Sequence, residues 1–532
     1  MSSFKSPSPL TLTPLLASLL AVAGLLPTQS ARANQSLGSP GYSLTVGPGF
    51  NRSNLYSALF NPANAEKLID ADDHFRMSLL QVGGQYELGA IDNLQQEADA
   101  LKAKVDAART SNSAAQAQAA VDEINQRFLP LLDRGARGSV MMQASLLSPV
   151  LIRSKETLPG VWSLNMALQA QGGARMRTSD ANVLVKFASN DPSVNGSQIH
   201  VPTAGLAAQL TTLQNATTSA AQQSALNGLM GQLSVGDQAT ATVVVNSLNT
   251  PGNTISTSYA VTTATAVDIR TALVRHTSVG YATPLTRVPG ATALLSPFLP
   301  VSQIDIGVRF NGYEAKLVRQ VAALVDANGN SVSITNMDSA AYQRQVGAFG
   351  IDVGATWHAE NYQLGATLYN LNNPSLRYPS VWDDPNLANR EAAASLAAQG
   401  KVDMDAAVNL KPHVVVEGAV RSENQRWLLQ GSTALNETTD FVGEPRKIVT
   451  LSASYNGDRY DTMIGRILGY IAPSIRLGYR HNLVGSGLTS YGLGISWGAL
   501  NLDFITSAET NTTSNGSAPR SAGVGLSIAQ KF

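Results

Sequence analysis

Apolar residues recur at every second position over much of the chain. In Tyr491-Gly492-Leu493-Gly494-Ile495-Ser496-Trp497-Gly498 the odd positions are apolar and the even ones are Gly or Ser. After Ala499 the phase flips: Leu500, Leu502 and Phe504 are apolar, Asn501 and Asp503 polar. A period of two sends alternate side chains to opposite faces of a strand, so this stretch predicts a hairpin with one apolar face. Ile304, Ile306, Val308 and Phe310 alternate with Asp305, Gly307, Arg309 and Asn311 in the same way. So do Phe349, Ile351, Val353, Ala355 and Trp357 with Gly350, Asp352, Gly354, Thr356 and His358, followed by Tyr362, Leu364, Ala366 and Leu368. Ile475, Leu477 and Tyr479 alternate with Arg476, Gly478 and Arg480.

A soluble sandwich also alternates, but its inner face packs large residues and its outer face is strongly polar. Here the polar face is mostly Gly, Ser and Thr with a few charges, as in a partly filled barrel lumen. Trp357 and Trp497 lie at the turn ends of their strands on the apolar side, where an interfacial aromatic girdle is expected. The pattern predicts an all-β fold, a transmembrane antiparallel β-barrel of about 14 strands. Its candidate spans are 75–90, 139–152, 161–177, 266–285, 303–321, 345–358, 361–370, 412–421, 427–436, 446–456, 473–482, 488–498, 499–509 and 520–532.

The last span alternates through Val524, Leu526 and Ile528 to Phe532, resembling the assembly signal read by the outer-membrane barrel-insertion machinery. Counting strand directions back from a periplasmic Phe532 puts the short turns 359–360, 422–426 and 498–499 inside. The long segments 322–344, 371–411 and 510–519 fall outside, as barrels of this class prefer. Segments 457–472 and 483–487 fit that rule poorly.

Targeting points the same way. Residues 1–33 read as a signal peptide: Lys5, an apolar stretch from Pro14 to Leu26, then Ala31-Arg32-Ala33 as a cleavage site. Its removal takes away two bases and no acid, moving the formal net charge from zero to about −2. No basic surplus remains to hold phosphate backbones, which argues against nucleic acid as a partner. With no cysteine, disulfides, thiol nucleophiles and cysteine-ligated metals are excluded.

Two segments break the β pattern. In 92–133, Leu101, Val105 and Ala108, then Val121, Ile124, Phe128 and Leu131, form a helical stripe. In 204–234, Leu206, Leu210 and Leu213, then Leu226, Leu229, Met230 and Leu233, do the same. Helical pairs over the barrel mouth, or exposed helices that bind a partner, both fit. The Thr- and Ser-rich stretch 239–265, with Pro251-Gly252 at its middle, reads as an exposed hairpin.

Ahead of the first strand, 34–70 is rich in Gly, Ser, Asn and Pro, broken by Leu55-Tyr56-Ser57-Ala58-Leu59-Phe60-Asn61-Pro62-Ala63. The Asn-Pro-Ala before a barrel of this length resembles the FadL-like outer-membrane transporters of hydrophobic compounds. The whole layout, with Gly523-Val524-Gly525-Leu526-Ser527-Ile528-Ala529-Gln530-Lys531-Phe532 at its end, is closer still to the conjugal (plasmid) transfer TraF-like barrels. The resemblance implies that Asn61, Pro62 and Ala63 belong to a plug within 34–70, with the barrel at 71–532.

Catalytic chemistry is not indicated. The six histidines have no close metal-ligand spacing, so neither metal nor cofactor is expected. Gly494-Ile495-Ser496-Trp497-Gly498 matches G-x-S-x-G, but a nucleophile elbow needs a strand followed by a helix, and here another strand follows. Asp305, Arg309, Asp352, His358, Arg476 and Arg480 read as lumen-facing, with the arginines available to the acids. Three functions follow as expectations: a plugged outer-membrane channel for small hydrophobic molecules, a conjugation or envelope-contact accessory using its helical insertions, and a soluble periplasmic binding protein. The expected partners are outer-membrane lipid and the insertion machinery of a Gram-negative cell, with a hydrophobic small molecule or a protein as further candidates.

Overall fold

Fifteen strands hydrogen-bond edge to edge into one antiparallel sheet that closes on itself in the computed structural model. The structure describes residues 55–70, 73–90, 112–155, 159–202, 206–289, 301–324, 337–424, 426–456, 473–497, 499–513 and 516–531, with isolated positions between 100 and 107. The signal-peptide reading, residues 34–54 of the plug-like segment, Leu101, Val105, Ala108, 457–472 and Phe532 lie outside them.

The wall strands, in chain order, are β1 (Phe75–Leu88), β2 (Arg137–Leu146), β3 (Val150–Ser154), β4 (Gly160–Arg177), β5 (Ala266–Pro284) and β6 (Ile304–Ala323). They continue as β7 (Gln343–His358), β8 (Tyr362–Tyr369), β9 (His413–Arg421), β10 (Trp427–Ala434) and β11 (Ile448–Tyr455). The last four are β12 (Ser474–Asn482), β13 (Thr489–Trp497), β14 (Leu500–Ser507) and β15 (Ser521–Lys531). Neighbours in sequence are neighbours in the wall, and β1 pairs with β15 to close it.

The span expected at 139–152 is two strands. β2 and β3 together fill one wall position between β1 and β4, so fifteen strands make fourteen positions. The break falls at Leu147-Ser148-Pro149, where Leu147 has φ of 50° and Pro149 lacks an N–H to give the ladder. The seam is closed by hydrogen bonds from Ser78 N to the Pro149 carbonyl (3.0 Å) and from Leu147 N to the Leu79 carbonyl (2.9 Å).

Alternation sorts side chains by face as the pattern demands. Leu364, Leu429, Leu451, Leu477, Leu493 and Phe504 are outward and exposed, an apolar band around the barrel. Between them Gln363, Gln430, Ser452, Arg476 and Asp503 are buried on the inner face. No described helix is long and apolar enough to cross a membrane.

The insertion between β4 and β5 carries the helices expected within 204–234 and differs from expectation beyond them. Helices Ala207–Asn215, Ser219–Met230 and Val235–Ser247 pack on a three-stranded sheet of Gln198–Val201, Ala181–Ser189 and Ile255–Thr263. Helix Ala114–Glu123, from the β1–β2 loop, joins the same core through Ala117, Val121 and Ile124. The stretch read as a hairpin at 239–265 is therefore half helix. Val243, Val244 and Val245 are β-branched and suggest a strand, yet Ala241, Val244 and Leu248 share one helical face that seals the core. The expected turn does fall at Pro251-Gly252, with Gly252 at φ of 87°.

Candidate functional site

Residues 55–69 lie inside the barrel against the inner faces of β1 and of β3 to β9. Asn61 is extended (φ −127°, ψ 115°), as a residue before proline prefers, and its side chain accepts from Ala63 N at 3.0 Å. Pro62 then opens a short 3₁₀ turn, Pro62–Asn64, at the position where a missing N–H costs nothing. Asn61 and Ala63 are fully buried.

Two glycines receive this turn. Gly307 on β6 and Gly354 on β7 are cross-strand partners. A Cβ at Gly307 would sit 2.5 Å from Ala63 N, and one at Gly354 would collide with Asn61 Oδ1 and Pro62 Cδ. The Asn61 amide spans to β9, donating to Glu417 Oε1 at 3.0 Å.

Ion pairs hold the segment on either side. Arg309 donates through Nε and Nη2 to Asp352 Oδ2 (3.0 and 2.6 Å) and through Nη1 to the carbonyls of Ala58 (3.3 Å) and Leu59. Asp352 also accepts from Asn311 Nδ2 and Asn370 N, both at 2.8 Å. A buried charge needs such a complete set of partners. Asp305 faces Lys67 Nζ at 3.3 Å and His358 Nε2 at 2.8 Å. Arg153 pairs with Glu66 at 2.9 Å and donates to the carbonyls of Glu66 and Ile69. Tyr369 OH donates to the Phe60 carbonyl. Leu55, Ala58, Leu68 and Ile69 pack on Leu151, Val161 and Ala282 of the wall.

Four of the six charged residues singled out from the pattern thus surround the segment: Asp305, Arg309, Asp352 and His358. The other two do not. Arg476 pairs across the lumen face with Asp503 at 2.9 Å and donates to Ser496, beside Gly494, whose missing Cβ leaves room for the guanidinium. Arg480 lies further along β12, toward Glu87 and Arg446. Ser496 of the G-x-S-x-G match is held in β13 by Arg476 and Asn501. Lys67, Glu417, Asn311 and the two seat glycines were not among the site residues singled out from the pattern. Only the inward phase of Glu417, Asn311 and the glycines was available to mark them.

Trp357 and Trp497 lie outward near the same end of the barrel, the end with short turns. Trp162, Tyr362 and Trp427 join them there, Tyr362 and Trp427 being more than half exposed. At the opposite, long-loop end, Tyr378 donates to the Phe441 carbonyl and packs with Val274, Leu317, Leu376 and Leu410. Leu526 and Ile528 lie in β15, paired to Val82 and Leu80 of β1.

The family model described as "F plasmid transfer operon, TraF, protein" matches residues 58–433, well over half of the chain. The chain belongs to this family. The match begins in the lumen segment of this TraF-family barrel and ends in β10. No curated protein matches it. Among solved structures it is similar to the P. putida toluene transporter TodX, at 9% identity and a TM-score of 0.37, covering 93% of this chain and 99% of that one. It is similar to the CymD monoaromatic hydrocarbon channel at 9% identity and 0.38, covering 94% and 99%. A Pseudomonas aeruginosa FadL homologue aligns at 11% identity and 0.34, covering 94% and 98%. Likeness at that level says nothing of what this chain passes or binds.

Proposed function

We propose that the protein is an outer-membrane channel whose lumen is plugged by residues 55–69 and which passes small hydrophobic molecules. One observation carries this reading: a segment ahead of β1 sits in the lumen on a two-glycine seat and is pinned by buried ion pairs. A purely structural barrel has no need of a separate piece docked by Asn61, Arg309 and Lys67. Beneath the mouth loops the inner wall is apolar at Ala272, Val274, Ala315 and Leu317, where Leu376, Tyr378 and Leu410 pack on it, and such a wall suits a hydrophobic passenger better than a polar one. The outward band and the aromatic residues at the short-turn end support a membrane-spanning position, with Trp357 and Trp497 in an interfacial girdle. Leu526, Ile528 and Phe532 serve the insertion machinery in this reading.

Entry of an apolar fluorescent dye such as N-phenylnaphthylamine into expressing cells tests it. Expression should raise uptake, and Asn61→Ala, which frees Glu417 and the seat, should raise it further. No increase in either case overturns the channel.

A second reading is an accessory of plasmid conjugation or envelope contact. Membership of a family described by the F plasmid transfer operon favours it, as does an insertion that has its own core. Loss of conjugation on removing the insertion, with dye uptake unchanged, would favour this alternative over the channel.

A further inference from the structure

The long-loop mouth holds a concentration of arginine that the chain as a whole does not. The sequence carries 37 bases and 37 acids, yet a small half-open cavity inside the mouth is lined by Arg175, Arg177 and Arg270 with Asp268 and Glu444. Both acids are already engaged. Asp268 takes Arg270 Nη2 at 2.7 Å, Arg319 Nε at 3.2 Å and Arg177 Nη2 at 3.7 Å. Glu444 faces Arg137 at 3.5 Å. With Arg137 and Arg319 behind the lining, five guanidiniums therefore stand against these two carboxylates and Asp403, which also acts on Arg270. The adjoining charges do not correct this, because Glu87 and Asp440 are matched by Arg446 and Arg480.

Donor groups are left over as well as charge. Arg177 Nε in the lining and Arg319 Nη2 outside it are buried without a hydrogen-bond partner, and Arg175 makes neither hydrogen bond nor ion pair among the described residues. A buried guanidinium N–H with no acceptor is costly, and the acceptor geometry that answers it is a planar or tetrahedral oxyanion held by several forks. The backbone supports the same position. Gly443, at φ of 84°, brings the 440–444 turn against Arg270, where any Cβ would sit 2.7 Å from Nη1. Arg270 also lies over the Tyr378 ring at 5.6 Å, fixing its plane.

We infer that Arg175, Arg177 and Arg270 form a binding site for a compact phosphate dianion, either free or as a terminal phosphomonoester. The surplus of positive charge around the cavity selects this class over a singly charged carboxylate. Such an anion would tie the wall strands β4 and β5 to the 440–444 turn and so hold the mouth loops down. The inference does not depend on what the channel passes.

The test uses the full chain, purified in detergent, with calorimetric titration of inorganic phosphate, dihexanoyl phosphatidic acid and acetate. Saturable binding of phosphate or phosphatidic acid is expected, at one site per chain, with acetate much weaker. Binding of both points to the shared phosphate group, and binding of the lipid alone points to a phosphomonoester headgroup. Arg175→Gln with Arg177→Gln should weaken binding on the order of ten- to a hundred-fold. Arg275→Gln should not, because Arg275 is exposed on the outer face and paired with Glu314. Retained heat-modifiability on gels shows that each variant still folds. No saturable binding of either phosphate, equal binding by the double variant, or acetate binding as tightly as phosphate would overturn the assignment.

Discussion

Gly307 and Gly354 face each other across the β6–β7 ladder, and the Asn61-Pro62-Ala63 turn rests on both. The seat exists because neither strand presents a side chain there. Gly354→Val should displace the turn, since crowding a packed contact costs about 1–3 kcal/mol. The barrel ladder is untouched, so heat-modifiability should persist while 55–69 becomes open to protease and dye uptake rises. A variant with wild-type protease resistance would mean that the segment is not held by this seat.

Arg309 and Asp352 should behave as a unit. Removing one partner leaves the other charge in the lumen with an incomplete set of contacts, at about 3–5 kcal/mol. Arg309→Met should lower the unfolding temperature more than Arg309→Met with Asp352→Leu, because the double change removes both charges. The Arg309→Met variant also loses two bonds to the Ala58 and Leu59 carbonyls, so it should release the segment too. Additive losses in unfolding experiments would show that the pair is not coupled.

The strands were legible because period-two alternation is a local property, and each span can be read alone. The break at Leu147-Ser148-Pro149 was not, since the residues on either side keep alternating and only the pairing with β1 and β4 exposes the extra length. The lumen face was legible as a face, but its partnerships were not. Asn61 and Glu417 are 356 positions apart, and their contact depends on the register of every strand between β6 and β9. Arg476 and Arg480 looked equivalent to Arg309 in phase, yet strand position puts them on the far side of the barrel. The Thr- and Ser-rich stretch 239–265 misled because the helical period of its first half shows only when Ala241, Val244 and Leu248 are counted together.

The mouth loops carry a pH signature. Burial pushes the Tyr378 hydroxyl well above its ordinary value, and burial together with the hydrogen bond to Asp384 pushes Tyr342 up to about 12. Once unfolded, each ionises near 10. The unfolded loops therefore lose these protons first, so the stabilisation is complete below pH 10 and lost as pH rises above it. Tyrosinate absorbance at pH 11 should be smaller than the tyrosine count requires and should rise on unfolding. Tyr378→Phe and Tyr342→Phe should each leave the delayed fraction smaller. Full tyrosinate absorbance in the folded protein at that pH would show the two rings to be accessible.

The insertion should be separable from the barrel, but only if it is removed whole. Its core joins 181–263 to helix Ala114–Glu123, which reaches it from a different loop. Deleting 181–263 alone uncovers Ala117, Ala120, Val121 and Ile124, an apolar stripe with nothing left to pack on, and that variant should aggregate. The ends of the deletion are close, as Ser179 N bonds Thr265 Oγ1 at 3.0 Å, so a short Gly-Ser turn can bridge them. Deleting 181–263 together with 92–127 should leave a heat-modifiable barrel in the membrane fraction, since β1, β2, β4 and β5 keep all their ladder partners. If the double deletion fails to assemble while the single one folds, the insertion is needed to build the wall and is not an independent unit.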